Sequence, residues 1–229
     1  MKLLLVGEGK TDCGSPEPGG WAEGPVQVYI RRIRTDPVEI LTVHKAELRG
    51  LRSTKRQSKA LKGLKGHSVK AFLIAQAAVE NGCEAAVMYL DADKPEAPGN
   101  ERSCRLRYEE LKRQILEGFH RIPSVSAAAA VPVKMIECWM LGDGEAFRKC
   151  FRKVPGGEKY FRNPELLWGS ADDPASNYPK HVLRRALAEC GRESCRETFV
   201  ELAERADIDT LRGTCPISFD DFYLQIRAL

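Results

Sequence analysis

Two groups of acidic residues each follow a hydrophobic segment that is predicted to be a β-strand. The segments cover residues 3–6 and 85–90, and the acids that follow them are Glu8, Asp12, Asp91 and Asp93. In an open parallel α/β sheet, the carboxyl ends of the strands line the ligand crevice. Carboxylates that converge there without a Cys or His cage suit a hard cation such as Mg²⁺. The pattern therefore predicts metal-dependent chemistry on phosphates.

Strands and helices alternate along the first part of the chain. Aliphatic or β-branched segments predict strands at residues 3–6, 38–43, 85–90 and 127–133, with helices at 26–34, 67–81 and 101–118. This alternation is typical of βαβ units and a mostly parallel sheet, although it leaves the strand order open. Residues 13–25 are rich in Gly and Pro, and we expect a loop without regular structure there.

The character of the sequence changes near residue 151, where loops and then helices replace the βαβ pattern. Helices are expected near residues 181–190, 196–206 and 219–229. We therefore expect an α/β core over residues 1–150 and a helical extension over residues 151–229 packed on it. The predicted fold class is α/β, with a Rossmann-like, mostly parallel sheet of about four strands and a helical C-terminal cap.

Composition is that of a globular protein, with 229 residues, 43% hydrophobic residues and a formal net charge of +4. Apolar runs fall short of the roughly 20 residues of a membrane helix, and the N-terminal run is too short for a signal peptide. We expect no membrane association and a cytoplasmic location. The eight cysteines form no C-x-x-C pair. We expect them to be reduced and structural.

Positive charge is concentrated between residues 45 and 70, where nine Lys or Arg residues accompany the single acid Glu47. Clustered basic side chains gain affinity for phosphate backbones through counterion release. The alternative is a solvated helix face or loop. The candidate nucleic-acid contacts are Arg52, Lys55, Arg56, Lys59, Lys62, Lys65 and His67.

The acidic motifs resemble a known domain. Glu8, Gly9, Thr11 and Asp12, followed about 80 residues later by Asp91 and Asp93, resemble the metal-binding TOPRIM domain of topoisomerases, primases and the OLD and RloB-like nuclease families. Residues 136–141, 177–180 and 216–219 are similar to stretches of small stand-alone TOPRIM-like proteins of uncharacterised function. The order, strand context and spacing of these short motifs carry the resemblance.

The resemblance implies a nuclease that uses Mg²⁺ or Mn²⁺, with Glu8 as a metal ligand or a general acid/base. Similar small proteins accompany ABC-type ATPases in prokaryotic defence systems, which implies a role as a phage-defence effector with such an ATPase as partner. Because fold-level analogy is weaker than an argument from the site, these implications remain expectations.

The candidate metal ligands are Glu8, Asp12, Asp91, Asp93 and Glu137. Two carboxylates separated by one residue share a face if the strand geometry continues, which favours Asp91 and Asp93. Asp12 could instead be a turn or helix-capping residue. Glu137 could instead be an acid at a helix N-terminus or a buried ion-pair partner.

Lys180 is a candidate catalytic residue, together with Glu8. A lysine beside a metal site can stabilise the charge that develops on a transferring phosphate. The alternative is a solvated lysine at the start of a helix.

The sequence thus predicts a metal-dependent nuclease that acts on DNA or RNA. The alternative is a catalytically inactive nucleic-acid-binding or regulatory module that partners an ABC-type ATPase. The choice between DNA and RNA, the number of metal ions, the activating trigger and the oligomeric state stay open.

Overall fold

The computed structural model describes residues 1–7, 9–44, 61–93, 97, 99–156 and 160–229. The strands are β1 (Lys2–Gly7), β2 (Ser15–Glu17), β3 (Gly20–Ala22), β4 (Glu39–His44), β5 (Ala85–Tyr89) and β6 (Ser126–Ala130). The helices of the α/β part are α1 (Pro25–Ile33), α2 (His67–Glu80), α3 (Glu101–Phe119), α4 (Glu137–Met140) and α5 (Gly144–Phe151). A 3₁₀ turn (Pro164–Leu166) then precedes α6 (Pro179–Glu189), α7 (Arg196–Arg205), α8 (Ile208–Thr214) and α9 (Phe219–Ala228).

Four parallel strands form the main sheet in the order β4-β1-β5-β6. The α/β fold with a parallel sheet and a helical C-terminal part is therefore confirmed. The strand order, which the sequence left open, makes β1 and β5 neighbours at the centre of the sheet, with Leu4 paired to Ala86. The carboxyl ends of these two strands, Gly7 and Tyr89, consequently lie side by side.

Alternating side chains of the central strands contribute to two hydrophobic clusters, as the two-residue period of a strand requires. Leu4, Val6 and Met88 pack with residues of α2 and α3. Leu3, Leu5 and Val87 belong to the other cluster, which also contains α1 and side chains of α6, α7 and α9. The C-terminal helices therefore share a hydrophobic cluster with the sheet.

The expectation of a structureless loop at residues 13–25 is wrong. β2 and β3 form an antiparallel hairpin in which Ser15 pairs with Ala22 and Glu17 with Gly20. Gly19 adopts a φ of 105°, which favours glycine, so it can lie in the tight turn that joins the strands. The Gly and Pro residues that exclude long strands here are compatible with a hairpin of two three-residue strands.

Two expectations about the chain as a whole can be compared with the described residues. Within the ranges given above, no helix is both long and apolar enough to cross a membrane. All eight cysteines are free thiols and five of them are buried, so no disulfide framework holds the fold.

Candidate functional site

The side chains of Asp12 and Asp91 meet at the carboxyl edge of the sheet, after the neighbouring strands β1 and β5. Tyr89, the last residue of β5, is buried between them. Its hydroxyl oxygen lies 2.7 Å from Asp91 Oδ1 and 3.0 Å from Asp12 Oδ2. A phenol has one hydrogen, so it can donate to only one of these carboxylates at a time. The two acids are therefore close together and share too few donors for both to be ionised favourably.

The turn after β1 is shaped to hold Asp12. Gly9 adopts a φ of 87°, and a Cβ atom at this position would lie 2.9 Å from Asp12 Oδ2. A larger residue would therefore be strained and would crowd the carboxylate. The carbonyl of Asp12 accepts a hydrogen bond of 3.1 Å from the backbone N–H of Val26 at the start of α1. Asp12 is thus fixed by its backbone while its carboxylate faces Tyr89.

Asp91 and Asp93 lie in a segment after β5 that has no regular secondary structure, and we call it the acidic segment. It continues the backbone pairing of β5 with the chain after β6. The backbone N–H of Ala92 donates to Pro132 O over 3.1 Å, and Arg107 Nε donates to Ala92 O over 3.0 Å. Asp93 has a left-handed φ of 57°, so the strand geometry ends before it. Asp91 is half-buried beside Tyr89, whereas Asp93 is exposed. The charge of Asp93 adds to the rise that burial causes in the pKa of Tyr178. The structure therefore brings Asp91, and not Asp93, against Asp12.

Glu137 and Lys180 complete the group of interacting charges. Glu137 is the first residue of α4 and is buried, with 5% of its surface exposed. Lys180 is the second residue of α6 and is exposed. Burial raises the pKa of Glu137, Asp91 and Asp12, and the Lys180 charge opposes this rise. Four ionisable groups from four separate segments thus interact at one edge of the sheet, and we call Asp12, Asp91, Glu137 and Lys180 the edge cluster.

Burial dominates the electrostatics of the edge cluster. It raises the pKa of Asp91 to about 8. The hydrogen bond from Tyr89 opposes this rise, and the negative charges of Asp12 and Glu137 add to it. Burial also raises the pKa of Glu137 to about 7, although the Lys180 charge opposes this shift. Burial alone would lower the pKa of Lys180, but the carboxylates, Glu137 first, outweigh it and raise that pKa. Asp91 and Glu137 therefore bind protons near neutral pH.

A cysteine lies next to the edge cluster and could be mistaken for a nucleophile. Cys13 is buried, and a Cβ atom at Gly7 would lie 2.3 Å from its Sγ, so the strand end leaves space for the thiol. Burial, and then the charges of Asp12 and Asp91, raise the pKa of the Cys13 thiol well above its ordinary value. The thiol stays protonated at neutral pH, so we assign it no nucleophilic role.

The donor set of the edge cluster fits a hard divalent cation. Asp12, Asp91 and Glu137 provide carboxylate oxygens, and their unfavourable ionisation would be relieved by positive charge. Over the part of the chain that the structure describes, no three His, Cys, Asp or Glu side chains already stand close enough to hold a metal ion. Glu8, the remaining predicted ligand and candidate acid/base, lies outside the described residues.

The candidate nucleic-acid contacts fall into two groups. Arg52, Lys55, Arg56 and Lys59 lie outside the described residues. Lys62 and Lys65 are exposed, and His67 begins α2. In the same segment, the Ser68 hydroxyl donates to Glu117 on α3 over 3.0 Å. Arg107, which contacts Ala92 in the acidic segment, lies on the same helix ten residues before Glu117, which corresponds to about 15 Å along α3. The described candidates therefore lie at or just before the start of α2, which contacts α3 through Ser68 and Glu117.

Sequence reasoning missed Tyr89 and Cys13 as members of the site. The sequence pattern places Tyr89 in a hydrophobic strand and Cys13 in a Gly/Pro-rich loop. One signal was present, because Tyr89 and Asp91 are two residues apart and therefore point to the same side if the strand continues. A polar ring at the carboxyl end of a central strand, two residues before an acid, could have been recognised as part of the site.

Comparisons with models of known protein families, with curated proteins and with solved structures find no match. The resemblance to TOPRIM domains therefore stays a prediction that depends on the motifs themselves.

Proposed function

We propose that this protein hydrolyses phosphodiester bonds in DNA or RNA and uses Mg²⁺ or Mn²⁺ as its cofactor. The supporting observation is the edge cluster, in which burial raises the pKa of Asp91 to about 8 and that of Glu137 to about 7. Acids with such pKa values reduce the stability of the folded protein near neutral pH. A bound dication would compensate this cost, because metal binding releases the protons that the carboxyl groups hold.

The residues of the edge cluster have distinct proposed roles. Asp12, Asp91 and Glu137 would hold the cation, together with Glu8 from outside the described residues. When bound, a divalent cation polarises a phosphoryl oxygen and increases the acidity of water. The Lys180 ammonium would bind the phosphate and stabilise its developing negative charge. Tyr89 would orient Asp12 and Asp91 through its hydroxyl group.

The cellular part of the proposal rests on the resemblance alone. A nuclease of this kind would be an effector of prokaryotic phage defence in the cytoplasm, with an ABC-type ATPase as partner. Copurification with an ATPase encoded beside the protein would support the partnership. Cleavage that is unaffected by that ATPase and its nucleotide would argue against it.

The direct test is cleavage of end-labelled single-stranded DNA, duplex DNA and RNA in Mg²⁺, Mn²⁺ or EDTA. We expect cation-dependent cleavage by the wild type, and loss of it in Asp12→Asn and Glu137→Gln. Asp143→Asn is a control, because Asp143 is buried like Glu137 but accepts hydrogen bonds from the backbone of Glu145 and Asp207. Equal cleavage by all these proteins would refute the site.

A binding module without cleavage is the second candidate. The observation that favours it is the exposure of Lys62 and Lys65, which lie just before α2 in a segment that contributes no residue to the edge cluster. In this case nucleic acid would bind in EDTA, with an affinity that falls as salt rises. We expect Lys62→Gln and Lys65→Gln each to reduce the salt slope by about one unit. Salt-sensitive binding without any cleavage would favour this candidate, whereas an unchanged slope would mean that these lysines only face solvent.

A further inference from the structure

Lys134 has two unusual properties for a lysine. It lies in the segment between β6 and α4, where only 6% of its surface is exposed, and its ammonium is 3.3 Å from the centroid of the Trp168 ring and 4.5 Å from that of Tyr178. Its backbone has a left-handed φ of 71°. Lysines are seldom fully buried, and a left-handed conformation costs free energy in any residue other than glycine. Such costs concentrate at functional sites, where the surrounding structure holds them in place.

Three segments of the proposed site meet at Lys134. Its carbonyl accepts a hydrogen bond of 3.3 Å from the backbone N–H of Asp93, which is itself left-handed with a φ of 57°. Its ammonium contacts Tyr178, the residue immediately before α6, and α6 carries Lys180 as its second residue. Glu137 follows three residues later and begins α4. Lys134 thus links the acidic segment, the start of α4 and the start of α6.

The chain before α6, from residue 167 to residue 178, forms a loop without helix or strand. This loop folds tightly on itself, since a Cβ atom at Gly169 would lie 2.4 Å from the backbone nitrogen of Tyr178. The indole of Trp168 and the phenol of Tyr178 come from the two ends of the loop. A cation between their rings attracts both and so holds the loop ends together.

We propose that Lys134 is a positioning residue whose stack between Trp168 and Tyr178 fixes the start of α6, and thereby places Lys180 against the acids of the edge cluster. The value of this placement for catalysis rests on the proposed function. Lys180 extends from the first turn of α6, so a shift of that turn moves its ammonium away from Glu137 and Asp91. Lysine and arginine can both form the stack, because both carry a cation on a long apolar stem.

The test uses three substitutions of Lys134 in the full-length protein. Lys134→Met keeps the length of the stem and removes the charge. Lys134→Arg keeps a cation that can stack on the rings. Lys134→Gly removes the stack together with the left-handed strain. Lys112→Met is the matched control, because Lys112 is half-buried and its ammonium also faces an aromatic ring, 5.8 Å from the centroid of Tyr108, while it pairs with Asp221 at 2.8 Å.

Two measurements report on the position of Lys180. The first is the rate at which acetic anhydride labels Lys180 at one fixed pH without metal, by mass spectrometry, relative to the exposed Lys149 on α5. The second is the dissociation constant for Mn²⁺. We expect Lys134→Met and Lys134→Gly to increase the Lys180/Lys149 ratio severalfold and to weaken Mn²⁺ binding by about tenfold. Lys134→Arg should restore both to within about twofold, and Lys112→Met should change neither.

An unchanged Lys180/Lys149 ratio in Lys134→Met would overturn the proposal. An equal rise of labelling at both lysines would also overturn it, because Lys134 would then be an ordinary core residue. If the wild type neither binds Mn²⁺ nor cleaves nucleic acid, the proposed function fails, and the labelling ratio alone decides the positioning role.

Discussion

Glu165 and the pair Asp12 and Asp91 are carboxylates at least partly removed from solvent, but they differ in the number of hydrogen-bond donors that the protein provides to them. Glu165, in the 3₁₀ turn, is 3% exposed, and it accepts hydrogen bonds from the backbone N–H groups of Ile217 (2.7 Å) and Ser218 (2.8 Å) and from the Ser218 hydroxyl. Asp12 and Asp91 instead share the single hydroxyl of Tyr89. The first carboxylate is satisfied by the protein itself, and the pair is not.

The difference separates a structural acid from a candidate functional one. Burial raises the pKa of Glu165, but its three hydrogen bonds oppose the shift. The Ser218 hydroxyl also accepts a hydrogen bond of 2.8 Å from Trp139 Nε1, so Glu165 anchors the start of α9 to the hydrophobic core. At Asp91, burial and neighbouring charge raise the pKa to about 8. The number of donors for each carboxylate therefore distinguishes the two kinds of acid, and under the proposed function the acids with few donors would bind the cation.

The largest effect is expected from Asp91→Asn. The amide cannot provide the negative charge that a dication requires, so we expect Mn²⁺ binding and cation-dependent cleavage to be lost. Isothermal titration with Mn²⁺ and the cleavage assay measure the two effects. Mn²⁺ affinity within about twofold of the wild type would contradict the assignment of Asp91 as a ligand.

The next largest effect is expected from Glu165→Ala, and it concerns stability. The substitution leaves two buried backbone N–H groups without their acceptor, at a cost of about 1–3 kcal/mol for each unsatisfied group. We expect the free energy of unfolding in urea to fall by roughly 2–4 kcal/mol. Mn²⁺ affinity should stay unchanged in the protein that remains folded. Loss of Mn²⁺ binding without loss of stability would contradict the assignment of Glu165 as a structural acid.

The sequence was sufficient for part of this comparison. The βαβ alternation predicted the parallel sheet, and the position of Asp91 directly after a buried strand predicted its place at the carboxyl edge. These features are local, because a strand and the residue after it are adjacent in the chain. The strand order depends on contacts between distant parts of the chain. It makes β1 and β5 neighbours and so brings Asp91 close to Asp12.

The remaining features depend on contacts that no short motif encodes. Glu165 meets its donors 52 residues further along the chain, and Tyr89 meets Asp12 across 77 residues. Asp93 and Lys134 both have left-handed conformations, and the backbone N–H of Asp93 donates to the Lys134 carbonyl, so this pairing joins two segments that are far apart in the chain. Sequence patterns predict which acids reach the sheet edge, but only the tertiary structure shows how many donors each one has.

A smaller effect is expected on the pH dependence of stability in EDTA. The pKa of Asp91 rises from its ordinary value of 3.8 to about 8 on folding, so the folded protein binds more protons than the unfolded chain between these values. Stability should therefore fall as pH rises from about 5 to 8, by roughly 1–3 kcal/mol. Urea unfolding at several pH values measures the fall. Asp91→Asn or saturating Mn²⁺ should reduce it, and an unchanged profile in both would contradict the raised pKa.

The smallest effect is expected from Tyr89→Phe, with Tyr108→Phe as its matched control. Both tyrosines are buried and donate to an acid, but Asp221, the acceptor of Tyr108, also accepts from Lys112 (2.8 Å) and Gln225 (2.7 Å). Removing the Tyr89 hydroxyl should weaken Mn²⁺ binding by about tenfold, as expected for a group that orients metal ligands.

The two tyrosine variants should also differ in their response to pH. The hydrogen bond from Tyr89 lowers the pKa of Asp91, so its loss should raise that pKa further. Because protons compete with the cation, Mn²⁺ binding by Tyr89→Phe should require a higher pH than in the wild type. Tyr108→Phe should bind Mn²⁺ like the wild type at every pH, since its acid keeps other donors. If both variants bind Mn²⁺ alike at every pH, the Tyr89 hydroxyl does not orient the metal ligands. The number of donors would then not distinguish Asp91 from a structural acid such as Asp221.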